Sequence, residues 1–266
     1  GPRVQAGGRL VQKDDVGIVD QRQRHAEALL LAARELLAAG ILLLLQIHQA
    51  NQFLGRECLA VWVEAVKEIE DFGDATFARL LDGGAEEAPL YELAVDLLIA
   101  LHRKVAPADL AGLPVFDDDR ALDGLFRMLD WYWPAIHRAA APEIVRADFE
   151  AAWRRVLPGM HSVPDSIALF DFHADNLFRL DRAGVAACGL IDFQDAVRAP
   201  VVFDLATLIE NDRRPIPDAL RQALIERYLA AFPALDRDAF MTAFAVKTAH
   251  WNTRIVGTFA RLLRRD

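Results

Sequence analysis

The sequence predicts an α+β fold with a mainly helical C-terminal part and one short hairpin of strands. In residues 90–104, and again in several later segments, apolar residues recur at the spacing of one helix face. Between residues 167 and 191 the apolar segments become short, and residues 181–184 supply a turn between two of them. With 266 residues, 53% of them apolar, the chain can form one large domain or two modest ones.

The composition along the chain divides it into three regions. Residues 1–58 are predicted to be an atypical segment, helical or disordered, because Leu- and Ala-rich stretches follow a polar tail without alternating strands. Residues 59–74 are predicted as a strand and a linker, since the first part of this region is enriched in Val and Ile. Residues 75–266 form the C-terminal domain, which carries the long helices and the hairpin.

Each element of the C-terminal domain has a local signal. The helical period predicts helices over residues 75–81, 90–104, 120–140, 142–157, 203–211, 217–232 and 236–263. Pro134 is expected to interrupt the third of these, because proline lacks the N–H that a helix interior needs. Short apolar segments predict strands at 167–169, 177–180 and 185–191. The polar residues at 171–176 and Asp192 therefore lie in loops at the ends of strands.

The net charge and the hydropathy limit the partners of this chain. At −9 it is a poor partner for a phosphate backbone, so we expect no nucleic acid ligand. The longest apolar run, residues 36–45, is too short to span a bilayer, and no signal peptide pattern precedes it. We therefore expect a cytoplasmic protein without a membrane segment. The sequence does not indicate the oligomeric state.

The segment LFDFHADN at residues 169–176 contains the main candidate residues. Asp171 is followed five residues later by Asn176, and Asp192 comes after the predicted hairpin. Residues of these types in this order form the base and the metal ligands of kinase-type phosphotransferases. Mg²⁺ needs only one or two protein oxygen ligands when phosphates and water supply the rest. We therefore predict that Asn176 and Asp192 bind Mg²⁺ and that Asp171 receives or orients an acceptor hydroxyl.

Four further polar residues lie near this motif in sequence, namely His173, Asp175, Asp195 and Asp204. The first three are predicted to support the substrate or the loop. For His173, substrate contact and loop hydrogen bonding are equally favoured, whereas Asp195 is better suited to a loop ligand or a cap than to catalysis. Asp204 lies at the start of the helix predicted at 203–211.

A metal hydrolase is the competing interpretation from another reaction class. Its dinuclear cluster would consist of the same acidic and imidazole side chains: Asp171, His173, Asp175, Asp192 and Asp195. Such sites generally gather several histidines, and the other histidines of the chain show neither HxH nor HExxH spacing. The chain also lacks a Walker A loop and a GxGxxG motif. The kinase-type interpretation is therefore favoured.

Three stretches of the sequence closely resemble the aminoglycoside phosphotransferase family: DFHADNLF, GLIDFQDA and APVVFDLATLIENDRR. Within that family they are most similar to the bacterial branch of anomeric amino-sugar kinases, which phosphorylate N-acetylmuramate and N-acetylglucosamine. The resemblance runs from about residue 68 to the C-terminus. The stretch EDFGDATFARLL, which overlaps the predicted strand and linker, resembles the hinge between the two lobes of the family.

The resemblance implies a protein-kinase-like fold with a mainly helical C-terminal lobe. It implies that Asp171 is the catalytic residue, with Asn176 and Asp192 as the Mg²⁺ ligands. It further implies that Asp204 is a structural anchor of the catalytic loop. ATP, or another nucleoside triphosphate, would be the phosphate donor, and a small sugar would be the acceptor.

The sequence departs from the family immediately before the catalytic position. Leu169 and Phe170 occupy positions where many members have His, and Arg or Gly, respectively. In the family, the residues at these two positions do not transfer the phosphoryl group. The change therefore indicates a divergent member rather than an inactive one.

A second departure lies at the N-terminus. Residues 1–58 do not show the strands of a nucleotide-covering lobe, so this lobe is predicted to be reduced or atypical. No nucleotide-binding residue can be assigned there, because Lys67 comes too late and Lys13 lies in an irregular stretch. The segment is either a true replacement or the product of an incorrect gene start. The second alternative predicts that residues 1–55 pack poorly or are disordered.

The sequence therefore predicts an ATP- and Mg²⁺-dependent phosphotransferase that acts on a hydroxyl of a small sugar-like substrate, with an amino sugar favoured. The alternative is a catalytically impaired, pseudokinase-like module that binds nucleotide or sugar without a proper N-terminal lobe.

Overall fold

The computed structural model describes residues 72–211 and 213–264, together with the backbone of Leu43–Leu44. Most of the predicted N-terminal segment and hinge strand, including the prediction of poor packing, therefore lies outside the described residues. Leu43–Leu44 forms a short strand, β1, where the Leu-rich pattern predicted helix. It pairs in parallel with Leu190 and Ile191.

Helices account for most of the described residues. They are α1 (Phe77–Asp82), α2 (Glu87–Lys104), α3 (Asp118–Arg127), α4 (Trp133–His137), α5 (Glu143–Val156), α6 (Phe203–Ile209), α7 (Asp218–Ala231) and α8 (Arg237–Leu262). Several begin at a side-chain cap of the expected kind. Asp117, for example, accepts a hydrogen bond from the N–H of Arg120 at 2.9 Å. The helical period therefore located these helices to within a few residues.

The helix predicted over 120–140 consists of three consecutive pieces. After α3, a π-helical turn at Met128–Tyr132 precedes α4. Pro134 lies in the first turn of α4, where its missing N–H costs no hydrogen bond. The predicted interruption at Pro134 is confirmed, and the π-helical turn was not predicted.

The strands form two small sheets. They are β2 (Asp165–Ala168), β3 (Leu177–Arg179), β4 (Cys188–Ile191) and β5 (Val197–Pro200). β4 lies between β1 and β3, pairing with β3 as the predicted antiparallel hairpin, and β2 pairs antiparallel with β5. The prediction of strand at 185–187 was wrong, because a 3₁₀ turn spans Gly184–Ala187. β5 was missed because it is short and contains a proline.

In the described residues, buried apolar side chains form three clusters. The largest joins α2, α6, α7 and α8 to the strands, and the second lies among α3, β2 and β5. The third cluster, which we call the hairpin cluster, consists of Phe72, Phe178 and Leu180. Across the described residues, no helix combines the length and apolar character needed to cross a membrane.

Candidate active site

The loop of residues 169–176, which we call the catalytic loop, follows β2 and has an unusual backbone turn. The N–H of Asp171 donates to the carbonyl of Leu169 at 3.1 Å, and the φ angle of Phe170 between them is 78°. A positive φ at a residue with a bulky side chain is strained, so other contacts must maintain this turn. The turn places Asp171 at the point where the chain leaves the buried strand.

Asp204, in the first turn of α6, provides those contacts. Its two carboxylate oxygens accept the backbone N–H groups of Leu169 at 2.6 Å and Phe170 at 3.1 Å. The residue is only 1% exposed, and burial raises its pKa to about 7. The two N–H donors and Lys247 oppose that increase, because each favours the ionised carboxylate. Asp204 thus occupies the position implied for an anchor of the loop.

Asp171 lies among titratable groups from its own loop and from two other parts of the chain. Burial raises the pKa of its carboxyl group, Arg254 and His173 lower it, and Asp192 and Asp195 raise it. Asp171 and Asp192 are therefore close enough to interact electrostatically, although they are 21 positions apart in sequence. A carboxyl group with a raised pKa is better matched to proton transfer near neutral pH than an ordinary aspartate.

Asn176 and Asp192 lie at the same end of the β3–β4 hairpin. Leu177 pairs with Leu190, so the residue before β3 and the residues after β4 are neighbours. Asn176 is buried, and its Nδ2 donates to the main-chain oxygen of Asp171 at 2.9 Å, which leaves its Oδ1 as an acceptor. Asp192 has a φ of 64°, and its Oδ1 accepts from Nε2 of Gln194 at 2.7 Å.

These two side chains fit a magnesium ion by the chemistry of their donor atoms. An amide oxygen and a carboxylate oxygen are hard ligands, which Mg²⁺ prefers, and they come from adjacent ends of one hairpin. The Gln194 contact to one oxygen of Asp192 and the Asn176 contact to the loop backbone also restrict the orientation of both side chains.

His173 and Asp175 form a separate contact with the turn after α6. Nδ1 of His173 lies 3.3 Å from a carboxylate oxygen of Asp175, and Arg213 contacts the same oxygen at 3.1 Å. Burial is the main cause that lowers the pKa of His173, so its imidazole is neutral at neutral pH. Asp175 is exposed and paired with Arg213, which indicates support of the loop rather than proton transfer.

The dinuclear metal cluster of the hydrolase interpretation is not formed. Among the residues that the structure describes, no group of three or more His, Cys, Asp or Glu side chains could hold a metal ion. All five proposed ligands of that cluster are described, and Asp175 is engaged by Arg213 instead.

Two cations on α8 reach the catalytic loop and were not predicted as site residues. The guanidinium of Arg254 lies 5.2 Å from the ring centroid of Phe170 and 5.5 Å from that of Trp251. Lys247, two turns earlier on the same helix, is fully buried. The sequence contained one signal for them, because two cations seven residues apart share a helix face with His250 and the apolar Trp251.

Comparison with known proteins identifies the family. The sequence profile described as the phosphotransferase enzyme family matches residues 19–240, so the chain belongs to this family. The predicted α+β, kinase-like fold class with a mainly helical C-terminal lobe is confirmed by this membership and by the arrangement of helices. The matched region begins at residue 19, within the segment of residues 1–58 that was predicted to be atypical.

The chain is also similar to individual curated proteins. It is 37% identical over 204 residues to the N-acetylmuramate/N-acetylglucosamine kinase of Caulobacter vibrioides. The aligned region covers 74% of this chain and 56% of that protein. It is 28% identical over 207 residues to the protein of the same name from Pseudomonas aeruginosa, with 74% and 58% covered. The chain thus spans little more than half the length of these relatives.

Solved structures show a more distant likeness. A GDP complex of a mutant aminoglycoside 2'-phosphotransferase-IIIa has a TM-score of 0.46 at 15% identity, with 68% of this chain and 58% of that chain covered. The aminoglycoside phosphotransferase APH(3'')-Id from Streptomyces rimosus, in complex with ADP and streptomycin, has a TM-score of 0.44 at 19% identity, with 68% of each chain covered.

Proposed function

We propose that this chain carries out ATP- and Mg²⁺-dependent phosphorylation of a hydroxyl group on a small sugar, and that the sugar is an amino sugar. Membership of the phosphotransferase family supports the reaction class. The name of the relative that is 37% identical supports the acceptor class. This chain spans little more than half of that relative, so the activity of the whole relative is a proposal for this chain.

The arrangement of Asp171, Asn176 and Asp192 is the observation that carries this proposal. The turn at Phe170 presents Asp171, and the hairpin presents the other two residues from one end. Phosphoryl transfer requires little more from a protein than a positioned hydroxyl and neutralisation of phosphate charge. A catalytic loop beside a hairpin end with two oxygen ligands meets both requirements.

In the proposed mechanism, Asp171 acts on the acceptor. Its carboxylate accepts a hydrogen bond from the acceptor hydroxyl and takes the proton as the oxygen bonds to the γ-phosphorus of ATP, while ADP leaves with the electrons of the broken P–O bond. Magnesium held by Asn176 and Asp192 would supply positive charge against the phosphates. His173 and Asp195, which both act electrostatically on Asp171, help to shape the acceptor pocket.

The first prediction tests this mechanism with an isosteric substitution. In Asp171→Asn the amide cannot accept the proton, so kcat for transfer of phosphate from ATP to N-acetylglucosamine or N-acetylmuramate should fall by about 10²- to 10⁴-fold. Transfer is measured with radiolabelled ATP and Mg²⁺. Asp181→Asn, in the exposed turn of the same hairpin, is the matched control and should retain activity.

A pseudokinase-like binding module remains the second candidate. It is favoured by the sequence of residues 1–58, which does not predict the strands of a nucleotide-covering lobe. Such a module would bind ATP in a calorimetric titration and transfer no phosphate to any sugar. Transfer that depends on the sugar and disappears in Asp171→Asn excludes the module.

A further inference from the structure

Lys247 is a buried cation next to the residue that holds the catalytic loop. It lies in the middle of α8 with 0% of its surface exposed. Its Nζ donates to Oγ1 of Thr207 at 3.2 Å and lies 4.1 Å from the ring centroid of Phe203. Those two residues flank Asp204 on α6, so the ammonium group lies against the same turn of helix as the anchoring carboxylate.

Burying an ammonium group is costly unless nearby groups compensate its charge. The hydroxyl of Thr207 and the faces of Phe203 and Trp251, the latter 4.9 Å away, offer partial compensation. The negative charges that act on Lys247 are those of Asp204 on α6 and Asp171 in the catalytic loop.

The other titratable neighbours of Lys247 lie on its own helix. Arg254 disfavours the ammonium form, since it carries a like charge. His250 is held neutral by burial, and its Nε2 faces the carbonyl of Ala121 on α3 at 3.2 Å. The two acids are thus the groups that favour a charged Lys247, and Asp204 has the larger effect of the two.

We propose that Lys247 is a positioning residue: its ammonium group keeps Asp204 ionised, and ionised Asp204 holds the N–H groups of Leu169 and Phe170 that form the catalytic turn. Both oxygens of Asp204 are engaged by these donors, which requires two free acceptors. Protonation would remove the negative charge that strengthens both hydrogen bonds and would make one of the two oxygens a weaker acceptor. The strained φ at Phe170 would then lose its support, and Asp171 would lose its orientation.

The ionisation of Asp204 depends on the positive charge of Lys247. Burial raises the pKa of Asp204 to about 7, and Lys247 is among the groups that limit this increase. Burial likewise lowers the pKa of Lys247 to about 7, so the ammonium form depends on its acidic neighbours. Without the positive charge, the pKa of Asp204 would rise further, which favours the protonated carboxyl group.

The first test follows the loop itself and does not depend on activity. In Lys247→Met, hydrogen exchange at the amides of Leu169 and Phe170 should accelerate by about tenfold or more, which corresponds to loss of a hydrogen bond to a charged group. The rest of α8 should remain protected. Lys247→Arg keeps the charge and should restore protection. If the methionine variant does not fold, Lys247→Gln, which keeps a donor for Thr207 without the charge, takes its place.

The second test uses kinetics and rests on the proposed function. In Lys247→Met, kcat should fall about 10- to 100-fold with KM nearly unchanged, because the acceptor still binds while Asp171 is misplaced. The acid limb of the kcat profile should also move to higher pH. His250→Gln, three residues along the same helix, is the matched control. It should lower thermal stability without moving either readout.

A double mutant separates this proposal from a general packing effect. In an Asp204→Asn background, Lys247→Met should cause little further loss, because the carboxylate that Lys247 acts upon is gone. Full additivity, or a Lys247→Met protein with normal amide protection and normal kcat, overturns the proposal. Absence of phosphate transfer in the wild-type protein, together with the predicted exchange result, overturns the proposed function and leaves the positioning role in place.

Discussion

At the residue scale, two histidines, the partly buried His102 and the buried His250, are held neutral by their surroundings. Nε2 of His102 donates to the carbonyl of Ile167 at 3.1 Å, so its Nδ1 accepts from the hydroxyl of Tyr228 at 2.6 Å. His250 donates to Ala121 and stacks edge-on against Phe116, with ring centroids 5.5 Å apart. Burial lowers the pKa of His102 to about 4 and that of His250 to about 3. Both imidazoles are therefore structural.

We predict that His250 makes the fold sensitive to acid. Between pH 6.5 and about pH 3 the unfolded chain binds a proton at His250 and the folded chain does not. The contribution is therefore fully present above pH 6.5 and is lost as pH falls, by a few kcal/mol in total. In His250→Gln this group no longer titrates, so the variant should lose less free energy of unfolding on acidification. Urea denaturation at pH 7 and pH 4 measures both losses.

Asp204 changes the free energy of unfolding in the opposite direction as pH falls. The wild type and His250→Gln must therefore be compared at each pH. Its folded pKa is raised from 3.8 to about 7, so the folded state gains stability from this group as pH falls through that window. That contribution is common to the wild type and His250→Gln and cancels in their difference. If the two proteins lost the same free energy of unfolding between pH 7 and pH 4, the folded protein would bind a proton at His250 as readily as the unfolded chain.

At the element scale, α8 meets α3 at a glycine. A Cβ on Gly257 would lie 2.3 Å from the carbonyl carbon of Arg127 and 2.4 Å from the nitrogen of Met128. The backbone of one helix thus lies directly against the backbone of the other, at the point where α3 changes into the π-helical turn. Since α8 also carries Lys247 and Arg254, this contact sets how close both cations lie to the catalytic loop.

We predict that Gly257→Ala destabilises the protein by about 3 kcal/mol, because the new methyl group meets rigid backbone rather than a movable side chain. The free energy of unfolding in urea measures the loss. Gly159→Ala is the matched control, because its Cβ would meet only methyl groups of Thr242 and Val246 on the same helix, at 3.4 Å. It should change stability by less than about 1 kcal/mol. If Gly257→Ala lost as little free energy of unfolding as Gly159→Ala, α8 would be able to shift away from α3 and make room for the methyl group.

Periodicity predicted the helices well, because each is long enough to show a repeated apolar face. The same pattern could not show the π-helical turn at Met128–Tyr132, which begins where the backbone lies against Gly257, a residue about 130 positions away. β5 was missed for a related reason, since four residues including an exposed arginine give no clear alternation. Tertiary contacts decide these elements, and a local pattern does not contain them.

At the scale of the whole molecule, the sequence located the candidate side chains but not what surrounds them. Asp171, Asn176, Asp192 and Asp204 could be proposed because they lie within 34 positions in a recognisable order. Lys247 could not, because a single lysine in the middle of a long helix gives no local indication of which carboxylate it approaches. Only the packing of α8 against α6 shows that its charge acts on the catalytic loop.

The hairpin cluster links the start of the described region to the proposed metal ligands. The ring of Phe72 lies on the bare backbone of Gly189 in β4, where a Cβ would be 2.7 Å from the ring. It also packs against Phe178 of β3, with ring centroids 5.6 Å apart. The hairpin that carries Asn176 and Asp192 is thus held partly by Phe72, a residue of the segment predicted as the linker.

We predict that Phe72→Ala weakens both the packing of the hairpin and the binding of magnesium. Loss of the ring should remove about 3 kcal/mol of packing from a small cluster, and β3 and β4 should then fluctuate relative to each other. The Mg²⁺ concentration for half-maximal phosphate transfer should increase about tenfold, which corresponds to about 1.4 kcal/mol. The measurement is the initial rate at increasing Mg²⁺ with saturating ATP.

Phe149→Ala provides the matched control for this prediction. Phe149 lies on α5 and packs against Phe126 and Trp153, in the second cluster and away from the hairpin. It should lower the melting temperature without changing the Mg²⁺ requirement, because nothing in its contacts reaches Asn176 or Asp192. If both variants shift the requirement equally, global loosening is the cause. If Phe72→Ala leaves it unchanged, the loops on either side of the hairpin orient the two ligands without help from the cluster.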